Sequence, residues 1–122
     1  MIRELTSHKS NELNEVLRVT AVDDLGPGNA SHRYRIEPTV GNALGLLIEF
    51  QNGPLKETVY PNGVTNEALL AVVIDRLQGF QSGPYACREN AIALTKLQEA
   101  MHWLHHRTRE RVSRGVEGTN NL

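Results

Sequence analysis

The chain has 122 residues, 39% of them apolar and 22% charged, and a net charge of −1. Such values describe one globular domain; they exclude wholesale disorder and exclude binding of polyanions through bulk charge, so affinity for phosphate has to come from where the charge sits. A single cysteine, Cys87, rules out an internal disulfide and suits a reducing cytosol. No stretch approaches the roughly 20 apolar residues of a membrane span, and Met1 to Ser10 lacks the apolar run of a signal peptide, so the expected setting is cytoplasmic.

Residues 1–12 are polar and are expected to form a loose or tethered arm. From Leu13 the pattern changes: Val16, Leu17, Val19, Ala21 and Val22 are strand-prone and stop at Asp23-Asp24. Leu25-Gly-Pro-Gly-Asn29 then has the composition of a turn, since Gly and Asn tolerate positive φ and Pro fixes its own. Arg33 to Glu37 alternates charge with Tyr34 and Ile36, which predicts a half-buried strand ended by Pro38. Gly45 to Gln51 predicts another, with Leu46, Ile48 and Phe50 on one face. Asn52-Gly-Pro54 and Pro61-Asn-Gly63 are turns on either side of a short strand expected over Lys56 to Tyr60. The first half therefore predicts a small antiparallel sheet over about 13–61.

The second half predicts helices over about 65–114. Thr65 is placed to cap the first helix, with Glu67 in its first turn at the positive end of the dipole. Apolar positions Leu69, Leu70, Val72, Val73, Ile74 and Leu77 follow, and Gly79 marks the expected end. After the connector Ser82-Gly-Pro84, a long helix is expected from about Cys87 to Arg114, free of Gly and Pro, with Ala93, Leu97, Ala100, Met101 and Leu104 as its apolar stripe. A link this short implies an antiparallel hairpin. Gly115 and Gly118 then leave a tail, 115–122. The expected fold class is α+β, sheet first and hairpin second, as one domain over 1–122.

Few residues carry recognisable reactive chemistry. Cys87 at a helix start has the placement of an activated thiol but equally that of a small packing residue, and sequence places no histidine beside it. His102, His105 and His106 share helical spacing that could present two imidazoles to a metal, yet no further Cys, Asp or Glu has zinc-like spacing, and a solvated polar face explains them as well. Asp23-Asp24 could hold a cation or simply end a strand. No Ser-His-Asp order, phosphate-binding glycine loop or carboxylate pair is present. Two features point instead to binding. Arg107, Arg111 and Arg114 fall at i, i+4 and i+7 on one helix face, four residues beyond Trp103. Their guanidinium forks match phosphate oxygens, although cations near a helix C-terminus are favoured in any case. Phe80 follows Gly79 in a polar connector, where it can stack on a purine or plug the hairpin end; Arg88, Glu89 and Asn90 open the long helix toward the same connector.

Several stretches together resemble a phage family. They are Asp24-Leu-Gly-Pro-Gly-Asn-Ala-Ser-His-Arg-Tyr-Arg-Ile36, Ile48-Glu-Phe-Gln-Asn-Gly-Pro54, Asn62-Gly-Val-Thr-Asn-Glu-Ala68, Cys87-Arg-Glu-Asn-Ala-Ile-Ala-Leu-Thr-Lys-Leu-Gln-Glu-Ala-Met-His-Trp-Leu104 and Arg107-Thr-Arg-Glu-Arg-Val-Ser-Arg-Gly-Val-Glu-Gly-Thr119. In order and spacing these are similar to the first class of Thoeris anti-defence proteins, which share a helical hairpin with a phage anti-CBASS sponge. The resemblance implies a sponge: a host TIR enzyme makes a glycocyclic ADP-ribose signal on infection, and the phage protein sequesters it intact in the cytoplasm of the infected bacterium. It implies homo-oligomers, dimers and in some members hexamers, and in some members a second site for cyclic di- or trinucleotides. It implies that Phe80 stacks on adenine and Asn90 hydrogen-bonds in the ADP-ribose pocket; Lys56 and Arg88 are candidates to reach the pyrophosphate, though the resemblance assigns neither a role. Arg107 and Arg111, with Arg114 as neighbour, would line the cyclic-oligonucleotide site.

The expectation is therefore a non-enzymatic sponge with no catalytic residue, no metal and no cofactor, whose partner is a small-molecule signal rather than nucleic acid or membrane. Two alternatives come from other classes. A nucleic-acid-binding module built on the arginine stripe predicts duplex affinity that falls steeply with salt, and the near-neutral charge speaks against it. A signal-degrading hydrolase, with metal at His102 and His106, lacks a full ligand set.

Overall fold

The structure is a computed structural model that describes residues 2–55, 60–119 and 121. It divides into two compact units, Met1–Gly53 with Thr58–Val64, and Pro54–Glu57 with Thr65–Leu122.

The first unit is a four-stranded antiparallel meander, β1 (Arg3–Leu5), β2 (Leu17–Ala21), β3 (Arg33–Pro38) and β4 (Leu46–Glu49), in sequence order. β2, β3 and β4 lie where the strand-prone runs placed strands, and β1 is an addition. Residues 3–5, expected within a polar arm, pair with β2 in the register Arg3↔Ala21 and Leu5↔Val19. Backbone pairing does not need apolar side chains, and the Arg3 guanidinium also donates to Ser31 Oγ at 3.0 Å. A single helical turn, α1 (Glu12–Glu15), capped by the Asn11 side chain, returns the chain to β2. Register sets the two faces. Val19↔Ile36, Ala21↔Tyr34, Tyr34↔Ile48 and Ile36↔Leu46 share one face, which is apolar. Ala21 on that face is fully buried, and Tyr34 meets Phe50 edge-on at 5.6 Å. The opposite face is charged, with Arg18 paired to Glu37 and Arg33 to Glu49.

Beyond β4 the chain returns beside itself. Phe50 and Val64 form a parallel bridge, and Asn62 clasps Asn52 through both ends of its amide, at 2.7 and 2.8 Å. Gly63 is required there, because a Cβ would lie 2.4 Å from the Phe50 carbonyl carbon. The short strand expected over Lys56 to Tyr60 lies almost wholly outside the described residues.

The second unit holds two packed helices, α2 (Asn66–Gln81) and α3 (Arg88–Ser113). Thr65 caps α2 as expected, its Oγ1 accepting the Ala68 N–H at 3.1 Å. The helix does not stop at Gly79. It runs two residues further, to a Ser82 C-cap whose N–H donates to the Gln78 and Gly79 carbonyls. Gly79 keeps a helical φ, so its flexibility is not used to end the helix. Cys87 is the N-cap of α3, and a Schellman motif ends it: Gly115 at φ 74° lets its own N–H reach Val112 O and the Val116 N–H reach Arg111 O.

Two helices meet along one row each. In α2 the inner row is Glu67, Leu70, Ile74, Leu77 and Gln81; in α3 it is Asn90, Leu94, Leu97, Met101, Leu104 and Thr108, ending on buried Arg111. The alternating three- and four-residue spacing is that of helices packed side by side, and the six-residue connector makes them antiparallel. The expected α3 stripe needs correcting. Leu97, Met101 and Leu104 are inside, but Ala93 and Ala100 are exposed and Leu94 takes the inner place. Ala93 and Ala100 belong to a second row one residue earlier, Ala93, Lys96, Ala100, Trp103 and Arg107. In α2 the row one residue earlier contains Leu69, Val73, Arg76 and Phe80. Antiparallel pairing reverses the sense of rotation, so equal displacement puts both outer rows on one side of the hairpin. Among the described residues no helix is long and apolar enough to cross a membrane.

Candidate functional site

Phe80 closes the last turn of α2, half-buried, at the hairpin end. Four residues earlier on the same row, the Arg76 guanidinium lies over the Phe80 ring, 5.3 Å from its centroid. From the connector, Tyr85 approaches the same ring edge-on at 6.2 Å and is itself 73% exposed. The connector is internally held: Ser82 Oγ donates to Gly79 O at 2.8 Å, the Gly83 N–H to Phe80 O, and the Cys87 N–H to Gln81 Oε1 at 3.0 Å. The hairpin end is thus a fixed turn bearing an exposed aromatic, a half-buried aromatic and a guanidinium. Neither Arg76 nor Tyr85 stood out in the sequence. The i, i+4 spacing of Arg76 and Phe80 was the available signal; Tyr85 had none, because its meeting with Phe80 depends on how the connector folds.

The other residues expected at this pocket are placed differently. Asn90 is half-buried on the inner row of α3, in its first turn and so at the same hairpin end. Arg88 precedes it by two residues, a rotation of roughly 200°, and so turns away from α2. It lines a shallow cavity of about 360 Å³ with Ala91, Ile92, Thr95 and Lys96 on the outer side of α3. Lys56 lies outside the described residues. Cys87 is exposed, and its Sγ accepts the Asn90 N–H at 3.4 Å, so the atom that a nucleophile would offer serves as a helix cap.

The arginine row is split by its surroundings. Arg107 is exposed. The Arg114 Nε lies 2.7 Å from Glu110 Oε1, an i, i+4 pair. Arg111 is buried, and the chain's own tail occupies its fork: Nε donates to Glu117 at 3.2 Å, Nη1 to Asn121 O at 2.9 Å, and Nη2 to Val116 O at 3.0 Å and Thr119 O at 3.2 Å. The three arginines keep the i, i+4, i+7 spacing, but Arg107 lies on the outer row while Arg111 ends the inner one, and only an anion that displaced the tail could reach Arg111.

The remaining candidates resolve into local structure. His102 and His106 flank the Trp103 ring edge-on at 5.6 and 5.5 Å, and among the described residues no group of three or more His, Cys, Asp and Glu is arranged to hold a metal ion. Asp23 accepts the His32 N–H at 2.9 Å on one carboxylate oxygen and the Arg33 N–H at 3.2 Å on the other, closing the 24–31 loop against β3. The His32 amide foremost, aided by that of Arg33, holds the Asp23 carboxyl below its ordinary value of 3.8.

Residues 44–109 match the model of the Acb2/Tad1 hairpin domain, a span that contains Arg76, Phe80, Tyr85, Asn90, Trp103 and Arg107. The chain is also similar to Thoeris anti-defense 1 of Bacillus phage SBSphiJ7, with 48% identity over 95 residues, covering 78% of this chain and 65% of that protein, a little under two thirds of its length. This chain, with its four-stranded sheet and two-helix hairpin, belongs to the Acb2/Tad1 hairpin family.

Proposed function

We propose that this protein is a phage Thoeris anti-defence factor that works as a sponge, binding glycocyclic ADP-ribose signals in the host cytoplasm and holding them unchanged. The observation that carries this reading is the hairpin end, where Phe80 sits beside a guanidinium at the mouth of a hydrogen-bonded turn, inside the segment matched to the family. A sponge needs slow release rather than reactive groups, and release is slowed by a preorganised stacking surface and charge-paired phosphates. Asn90, at the same end, is the residue proposed to hydrogen-bond the ligand. Arg88 on the outer side of α3 would reach it only as a distal phosphate contact.

The outer rows of the hairpin support self-association. Val73 and Trp103 are 45% and 65% exposed, and Ala93 and Ala100 beside them allow close approach of another helix. A second copy laid on this side would complete a four-helix arrangement and bury what two helices cannot. A second site for cyclic oligonucleotides would rest on Arg107, joined by Arg111 once its tail is displaced.

Capture and release tests the reading. The protein is mixed with glycocyclic ADP-ribose and filtered, and the retained fraction is heated and identified. Intact signal that emerges only after heating is the expected result, with much less retained by Phe80→Ala. A degraded product would make the protein an enzyme, and no retention would overturn the sponge.

A further inference from the structure

Phe80 does not present a bare ring. Its immediate neighbours are the Arg76 guanidinium at 5.3 Å and the Tyr85 ring at 6.2 Å, inclined at 68°. Arg76 is exposed, and its ring contact is the interaction found for it among the described residues. Tyr85 leaves most of its surface in water although its connector is tied down at both ends. A cation resting on an aromatic ring beside a second, exposed aromatic is an arrangement in which a flat, electron-rich base can take the place of water.

We propose that Arg76 and Tyr85 are ligand-binding residues: a purine base enters between the Arg76 guanidinium and the Phe80 ring, and Tyr85 closes the open edge. This rests on the sponge reading and extends it to the residues that select the base. Two van der Waals layers need about 7 Å between guanidinium and ring, so the Arg76 side chain swings out from its present 5.3 Å while the turn stays fixed. The guanidinium is suited to this because it is planar and weakly hydrated; it stacks on one face while its edge N–H groups remain free for a phosphate oxygen of the same ligand. An ammonium at this position keeps the charge and loses the plane. Tyr85 contributes ring area rather than its hydroxyl, since its ring is what faces Phe80.

The test is titration calorimetry on the full chain with glycocyclic ADP-ribose as probe. The variants are Arg76→Ala, Arg76→Lys, Tyr85→Ala, Tyr85→Phe and Phe80→Ala, with circular dichroism to confirm helicity. Arg76 and Tyr85 lie on the surface, so their replacement leaves the fold in place. Arg76→Ala is expected to weaken binding about tenfold, Arg76→Lys to recover little of it, Tyr85→Ala to weaken binding several-fold and Tyr85→Phe to match the wild type. Proton NMR supplies a second readout: the upfield shift of the adenine protons on binding should shrink in Arg76→Ala and again in Tyr85→Ala. Wild-type affinity and wild-type shifts in both alanine variants, with binding still lost in Phe80→Ala, would overturn this proposal and leave the sponge intact. A wild-type protein that does not bind the probe would overturn the sponge itself.

Discussion

At the scale of single residues, two charged side chains that resemble ligand-binding groups are engaged by the backbone. Asp23 holds the 24–31 loop through the amides of His32 and Arg33, and its carboxyl titrates below 3.8 as a result. A depressed carboxylate contributes stability that is fully present above its unfolded value and is lost as pH falls through its folded one. Thermal unfolding followed against pH should therefore show a loss below 3.8 that Asp23→Asn removes, because the variant already lacks the charge. A pH profile unchanged by that substitution would mean the two amides are satisfied another way. Arg111 is the second case. Its fork holds one carboxylate and three carbonyls of the tail, with charge-assisted bonds at a nearly buried site. Arg111→Ala should cost about 2–3 kcal/mol in chemical denaturation and expose 116–121 to protease. Arg111→Lys should not restore the loss, since an ammonium cannot address four acceptors in a plane. From sequence, Arg111 could not be told from Arg107: their i, i+4 spacing is compatible with one face, and it is the filled inner row and the return of the tail that bury Arg111 and leave Arg107 exposed.

At the scale of elements, the helices were largely legible because their signals are local. The Thr65 cap and the Cys87 start act over one turn, and they fall where composition placed them. The exceptions are instructive. Gly79 was expected to end α2, but a glycine ends a helix only when it is given positive φ, and here it is not. A Cβ at Gly79 would meet nothing within 4 Å. Gly79→Ala should therefore raise stability by about 0.5–1 kcal/mol, through lower entropy of the unfolded chain and better helix propensity. A loss of stability on melting would mean that the position is closer packed than its geometry indicates. β1 was missed for a related reason: three residues with two charges carry no apolar period, and their pairing with β2 is made by backbone groups alone.

At the scale of the whole molecule, the hairpin bears more apolar surface than its own two helices can cover. Trp103, 65% exposed on the same side as Val73, is the expected centre of contact between copies. Copies meeting on this side, as proposed, would make the wild type self-associate in analytical ultracentrifugation and Trp103→Glu a monomer, with helicity unchanged, because the residue is exposed. Association equal to the wild type in that variant would move the interface to another surface. His102 and His106, which a metal-site reading would have recruited, lie against this same indole.

Sequence alone determined the order of sheet and hairpin and the Thr65 cap, since these rest on short-range periodicity or on side chains that act on neighbouring backbone, and the order of its motifs carried the resemblance to the family. It also picked out Phe80 as an aromatic out of place in a polar connector. The tertiary structure decided which groups are available. It gave Phe80 its Arg76 and Tyr85 neighbours, turned Arg88 to the far side of α3, assigned Arg111 to the tail, and left Ala93, Ala100 and Trp103 uncovered beside a filled inner row. Such outcomes depend on residues brought together across a turn or by a returning tail, and the chain's local pattern does not encode which partner arrives first.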